Sequence, residues 1–147
     1  MKIGTPLTGL SIGASLLATL PLEASAQDPI VAGIINATTY LNGGIGREEE
    51  AAMRRMSGDY PLRMTFSERK DGEFVADVPV VIVDGHGRQV FELSKAGPML
   101  FVRLPNGKYK VSAKFKGLTE SREVTLARKD GKNGKDLYFY WKGKLKA

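Results

Sequence analysis

Apolar and polar residues alternate with a period of two through much of the chain after Tyr60, the pattern of strands that bury one face. The cleanest alternation lies in KYKVSAKFK, residues 108–116, whose apolar positions are Tyr109, Val111, Ala113 and Phe115. The residues between them form the opposite face, which is rich in lysine: Lys108, Lys110, Ser112, Lys114 and Lys116. This strand is therefore predicted to place one face in a core and a basic face in solvent.

Six further segments have the length and apolar content of strands and follow one another at short, regular spacing: 62–66, 74–83, 89–93, 99–104, 118–126 and 137–141. Turn sequences separate several of them. Pro105-Asn106-Gly107 predicts a tight hairpin, because proline presets its own φ and Asn-Gly tolerates positive φ. Residues 118–126 are polar and are predicted to form an edge strand. About seven strands at this spacing predict an all-β fold, an antiparallel β-sandwich.

The segment before the strands has a different pattern. From Arg47 to Met56 the carboxylates come first and the arginines last, with Gly58 beyond, which is the charge order that a helix macrodipole favours. We expect one short helix that caps an end of the sandwich. Residues 27–46 combine an apolar patch with the glycine-rich GGIG and predict a strand or arm followed by a loop. The expected organisation is an arm, loop and helix over 27–59 and a sandwich with a basic tail over 60–147.

Residues 1–26 have the pattern of a secretory signal peptide. An uncharged, mostly apolar run from Ile3 to Leu22 follows Lys2, and Ala24-Ser25-Ala26 supplies small residues at a cleavage site before Gln27. An uncleaved membrane anchor is the alternative, because the apolar run is just long enough to span a bilayer. Cleavage predicts a periplasmic or secreted protein, and no later segment has the apolar length of a membrane-spanning helix.

The size and cysteine content limit how such a protein can be stabilised. Cleavage after residue 26 would leave 121 of the 147 residues, which is enough for one domain with a hydrophobic core and short for two. The chain has no cysteine, so disulfides and a cysteine-linked lipid anchor are excluded despite the predicted export. The core alone must hold the domain together.

Several of these segments together resemble the carboxypeptidase regulatory-like domain, over roughly residues 60–141: VVIVD (80–84), 97–104, LPNGKYKV (104–111), Gly117 and VTL (124–126). The resemblance implies a transthyretin-like, prealbumin-type Greek-key sandwich and no single function, because this fold group carries many. GGIGREE, residues 43–49, also resembles a group of small exported proteobacterial proteins of unassigned function. Transthyretin-related hydrolases use several histidines, whereas this chain has only His86, so their activity is not expected.

No pattern in the sequence indicates catalysis, and we predict no catalytic residue, cofactor site or metal site. A Ser-His-Asp triad would have to use His86, which lies in the turn sequence DGHG, where a residue tolerant of left-handed geometry is expected. Asp84 and His86 alone are too few ligands for zinc. We therefore expect a non-enzymatic protein. The alternative is a small-ligand carrier or a hydrolase with a cleft near His86.

Two glycine-rich loops carry groups that bind ions in other contexts. Asp130 and Asp136 lack the spacing of a calcium loop and lie among lysines, so KDGKNGKD predicts a solvated hairpin. The amides of GGIG precede a helix, where anions bind, but the glutamates that follow would oppose a phosphate. A loop with capping geometry is therefore predicted there.

Charge is distributed unevenly along the chain. Residues 27–102 hold 8 Lys or Arg against 11 Asp or Glu, whereas residues 103–147 hold 13 against 4. The basic half predicts a patch for an anionic envelope polymer, lipid headgroups or an acidic protein partner, formed by Lys108, Lys110, Lys114, Lys116, Lys142 and Lys144. Nucleic acid is disfavoured by the predicted export. The alternative is that the lysines only keep the domain dispersed and protect its edge strands.

Overall fold

The computed structural model describes residues 30–69 and 72–141. The predicted signal peptide and the tail lysines Lys142 and Lys144 lie outside these residues. The described chain forms nine strands, one α-helix and a short 3-10 helix (Ser57–Asp59). In order they are β1 (Val31–Ile35), β2 (Thr38–Gly43), α1 (Gly46–Met56), β3 (Leu62–Ser67), β4 (Val78–Asp84), β5 (Gln89–Ala96), β6 (Met99–Arg103), β7 (Gly107–Phe115), β8 (Leu118–Leu126) and β9 (Lys135–Tyr140).

The strands form two sheets. Sheet A has five strands in the order β1-β2-β6-β3-β9, and sheet B has four in the order β5-β4-β7-β8. Every pairing is antiparallel except that of β3 with β9. This confirms the predicted all-β sandwich with one short helix. The predicted strand number was too low, because the segment before the helix supplies two paired strands of sheet A where one strand or an arm was expected.

The core lies between the two sheets. Alternate residues of each strand enter it, as the period of two predicts, and its largest fully buried side chains include Trp141, Phe66, Phe91 and Phe139. The rings of Phe66 and Phe139 lie 5.5 Å apart across the parallel pair of strands. The indole N–H of Trp141 donates to the carbonyl oxygen of Leu118 at 2.9 Å. This bond joins the residue after β9, an edge strand of sheet A, to the first residue of β8, an edge strand of sheet B.

Helix α1 covers part of the outer face of sheet A, where β2 and β6 lie. Its Met53 is completely buried against side chains that point away from the main core, and together they form a second cluster: Leu41, Tyr60, Met99 and Phe101. The helix is thus confirmed, but it packs on a sheet face and not at an end of the sandwich. No described helix is long and apolar enough to cross a membrane.

The GGIG-x-EE segment holds the helix onto the sheet. Gly44 has a φ of +98°, and a β-carbon there would lie 2.7 Å from Cγ of Met99, so glycine is needed for two reasons. The carboxylate of Glu49 accepts hydrogen bonds from the amides of Gly44 at 3.2 Å and Ile45 at 3.3 Å. The chain's own carboxylate thus occupies two amides of GGIG, but the N-cap residue Ile45 makes no side-chain hydrogen bond to the first turn, so the predicted N-cap geometry is present only in part.

The LPNGKY motif is not a hairpin, because β6 belongs to sheet A and β7 to sheet B. The chain crosses between the sheets here, and the hydroxyl of Tyr109 donates to the carbonyl oxygen of Pro105 at 2.7 Å. Asn106 accepts from the amide of Arg128 at 2.9 Å and donates to its carbonyl oxygen at 3.1 Å. The motif therefore joins this crossing to the connection between β8 and β9.

Strand β4 is shorter than the apolar run predicts. It begins at Val78, because Asp77 adopts a φ of +57° and interrupts the extended backbone. Phe74 is 43% exposed and forms only an isolated bridge with Ser67.

Candidate functional site

The outer face of sheet B carries the basic strand that the sequence predicts. Along β7, Tyr109, Val111 and Ala113 are buried, and Lys108, Lys110 and Lys114 are exposed on the opposite side. We call these three lysines the lysine face. Strand β7 lies between β4 and β8, so the lysine face occupies the middle of the sheet and not its rim.

The lysines of this face are unpaired. Among the described residues, none of the three has a carboxylate within 4.0 Å, although Glu123 stands directly opposite Lys110 in the register. At about 3.4 Å per residue, Lys108 and Lys114 are separated by about 20 Å along the strand. The face is thus an extended row of free ammonium groups.

A groove opens at one end of the lysine face, where the turn between β4 and β5 approaches the start of β7. It has a volume of about 530 Å³ and is lined by Asp84, Gly85, Lys108, Lys110 and Glu123 among others. A second depression of about 440 Å³ shares several of these residues and includes His86. Both are open to solvent and carry acidic as well as basic groups.

Asp84 organises the turn that borders this groove. Its Oδ1 accepts hydrogen bonds from the backbone amides of His86 at 2.9 Å and Arg88 at 3.0 Å, and its Oδ2 lies 3.3 Å from Nε of Arg88. The bond from the amide of Arg88, followed by that from His86, lowers the pKa of the Asp84 carboxyl. The carboxylate is thus bound to its own turn.

The position of His86 gives it no catalytic partner among the described residues. Its side chain is exposed, and Asp84 meets its amide and not its imidazole. The left-handed position of the turn, with a φ of +79°, belongs to Gly87, so His86 is not the residue that needs this geometry. No group of three His, Asp or Glu side chains suited to a metal ion occurs in residues 30–69 and 72–141.

Lys116 does not share the lysine face. It lies in the two-residue turn between β7 and β8, with a φ of +49° followed by Gly117 at +81°. Its ammonium group lies 3.8 Å from the carboxylate of Glu68 and 5.3 Å from the centre of the Phe115 ring. Of the six lysines proposed from the sequence, the structure therefore brings three together, places one elsewhere and does not describe Lys142 and Lys144.

The arginines of the basic half are engaged within the fold. Arg103 donates to the carbonyl oxygen of Asp59 at 3.1 Å and lies over the ring of Tyr60. Arg122 points inward from edge strand β8 and lies 5.2 Å from the ring centre of Phe139. Charge counting could not separate these structural arginines from the free lysines, because the difference depends on contacts between strands.

Asp136 also has a structural role. The guanidinium of Arg63 donates to both of its carboxylate oxygens, at 2.7 and 3.1 Å, across the parallel pair β3 and β9. This hydrogen bond raises the pKa of Arg63. The segment between β8 and β9 crosses from sheet B to sheet A and contains one tight turn at Lys129 to Lys132, so it is not the predicted hairpin.

Comparison of the chain with models of known protein families and with curated proteins finds no match. The resemblance to the carboxypeptidase regulatory-like domain stays a prediction, which the observed sandwich fits at the level of fold class.

Proposed function

We propose that this protein is a non-enzymatic, exported binding module that contacts an anionic component of the cell envelope through the lysine face. The proposal rests on a difference in how the outer faces of the two sheets are covered. Helix α1 and its apolar cluster cover the β2 and β6 part of the outer face of sheet A, whereas the described residues leave the outer face of sheet B uncovered. Its central strand presents Lys108, Lys110 and Lys114 without ion-pair partners among those residues.

The shape of this face favours an extended partner. A small-molecule site needs an enclosed pocket with a few converging polar groups. Here the grooves are open, and the lysines are spread over about 20 Å of strand. Such a row matches the repeating charges of an anionic polymer or a layer of lipid headgroups. An acidic protein is the other partner that this chemistry permits.

The alternative of a carrier or hydrolase near His86 gains no support from the geometry. The groove beside His86 is open, and the nearest acidic side chain, Asp84, is used by its own turn. A catalytic base needs a partner that orients it.

The test replaces Lys108, Lys110 and Lys114 together by glutamine and measures co-sedimentation with phosphatidylglycerol vesicles and with anionic envelope polysaccharide at increasing salt. A lysine near an anionic surface contributes about 1 kcal/mol, so losing three should weaken binding by about 3 kcal/mol, on the order of 100-fold. Binding of the unaltered protein should fall with salt.

A matched control removes the same number of charges elsewhere. Lys129, Lys132 and Lys135, which lie in or next to the connection between β8 and β9, are replaced together by glutamine. If binding depends on the lysine face, this control variant should bind nearly as tightly as the unaltered protein. Equal losses of binding in the two variants would show that binding depends only on net charge, which would contradict a role for the lysine face. Binding that changes neither with salt nor with substitution of Lys108, Lys110 and Lys114 would also refute the proposal. Thermal unfolding of each variant establishes that the fold is retained.

A further inference from the structure

The four edge strands of the two sheets are not protected alike. Strand β5 pairs irregularly with β4, with register shifts, and carries Glu92 and Lys95. Strand β8 turns Glu120 and Arg122 toward the interior side, and β9 begins with Lys135 and Asp136. Bulges and charges of these kinds prevent an edge from pairing with another chain.

Strand β1 has none of these protections. Its sequence, VAGII, contains no charge and no proline, and its pairing with β2 is regular over all five residues. No charged residue occurs anywhere from Ile30 to Gly46, although 26% of the whole chain is charged. Val31 is 45% exposed and Ile34 is 71% exposed, which leaves β-branched apolar side chains in solvent beside an edge that no described strand pairs with.

We propose that β1 pairs antiparallel with β1 of a second copy of this chain and forms a symmetric dimer. The pairing that uses all five residues sets Gly33 opposite Gly33 of the second copy, Val31 opposite Ile35, and Ala32 opposite Ile34. Every pair is apolar, and none sets like charges against each other. The same residues meet on both sides, as a two-fold interface requires.

This register also keeps the faces of the sheets in phase. Val31 and Ile35 place their side chains on the same side of sheet A as Tyr40, which packs on the core and is the register partner of Gly33. Pairing them with one another continues that face into the second copy. The result is a ten-stranded sheet made from two five-stranded sheets, with its two-fold axis perpendicular to the sheet.

The dimer would be weak, because pairing of one short strand buries less surface than a typical permanent interface. The first test is therefore sedimentation velocity of the intact protein over about a hundredfold range of concentration. We expect a monomer that converts to a dimer and stops there. A monomer throughout, or growth into larger species, would overturn the proposal.

Ile34→Lys tests the edge itself. The side chain is mostly in solvent, so the fold should tolerate lysine, whereas pairing would replace two apolar side chains at the interface by two like charges about 8 Å apart on one face. We expect this variant to stay monomeric. Thr119→Lys, an exposed position on edge strand β8, is the matched control and should dimerise as before.

Cross-linking tests the register. The chain has no cysteine, so introduced cysteines report only their own contacts. Cysteines at both Ala32 and Ile34 would face each other across the interface and form a disulfide dimer under mild oxidation. Ile34→Cys alone should link poorly, since the two copies of residue 34 would lie about 8 Å apart. Failure of the double variant to cross-link, or equal cross-linking by the single variant, would refute the proposed pairing.

Discussion

Replacing Tyr109 by phenylalanine removes one hydrogen bond from the corner where the chain passes from β6 to β7. The hydroxyl of Tyr109 donates to the carbonyl oxygen of Pro105 at 2.7 Å, and the residue is only 7% exposed. Phenylalanine keeps the ring and its packing in the core. The change therefore isolates the polar contact that the LPNGKY motif makes within itself.

The expected cost is small and can be bounded. A hydrogen bond of this kind contributes about 0.5–1.5 kcal/mol net, and we expect about 1 kcal/mol because Pro105 is exposed and its carbonyl can accept from water instead. For a domain of this size that corresponds to a fall in Tm of about 4 °C. Tyr109→Ala also removes the ring from the core and should cost about 3–5 kcal/mol.

The same hydroxyl makes the cost depend on pH. Burial of the hydroxyl raises the pKa of Tyr109, and the negative charge of Asp84 raises it further. The folded protein thus holds this proton more tightly than the unfolded chain does. Its contribution to stability is complete below the unfolded pKa of about 10 and is lost as pH rises through the folded pKa. The stability difference between the unaltered protein and Tyr109→Phe should therefore shrink in strong alkali.

Urea unfolding measures these differences, with fluorescence of the single tryptophan as the signal. Trp141 is buried, so its emission should change when the core opens. Tyr138→Phe is the matched control, because Tyr138 is 60% exposed and should change stability by less than about 0.5 kcal/mol. Two results would refute this account of the connection between β6 and β7. One is a free energy of unfolding of Tyr109→Phe equal to that of the unaltered protein, and the other is a loss of stability as large as that of Tyr109→Ala.

Three further substitutions test charged groups that hold a turn or a pair of strands together. The hydrogen bond from the amide of Arg88 is the main cause of the lowered pKa of Asp84, so the stability that this carboxylate supplies is present above its ordinary pKa and is lost as pH falls through the folded pKa. The free energies of unfolding of Asp84→Asn and the unaltered protein, measured with urea, should therefore converge in acid. A difference that stays constant with pH would contradict this account. Asp136→Asn should cost up to about 1 kcal/mol in the same assay, because its side chain is 53% exposed. Arg63→Gln should lower the free energy of unfolding by more, about 1–3 kcal/mol, because two backbone carbonyl oxygens also lose their hydrogen-bond donor. Equal losses of stability in the two variants would show that only the ion pair matters.

Local sequence patterns predicted the faces of strands well. The alternation in KYKVSAKFK correctly assigns Tyr109 to the core and Lys108, Lys110 and Lys114 to solvent, since a strand has only two sides. The charge order of α1 likewise predicts a helix that begins and ends close to the observed residues.

Connections between strands were harder to predict, because turn residues report local backbone angles and not which sheet follows. Pro105 and Asn106 favour a reversal of the chain, and here they make one between sheets. The hairpin of β1 and β2 was missed because its turn uses Asn36 and Ala37 at φ values of +49° and +64°, without glycine. The alternation of residues 108–116 places Lys116 on the lysine face, but the strand ends one residue earlier, at Phe115.

The parallel pairing of β3 with β9 makes the order of folding depend on the whole chain. Arg63 and Asp136, which meet across this pair, are 73 residues apart in sequence. During synthesis β3 therefore emerges long before β9, the strand that pairs with its edge. Phe66 cannot pack against Phe139 until β9 has been made. Because such distant contacts form late, sheet A should close last. A fragment that ends before β9 would expose β3 as a fresh edge, so quality control by proteases could distinguish incomplete chains from finished ones.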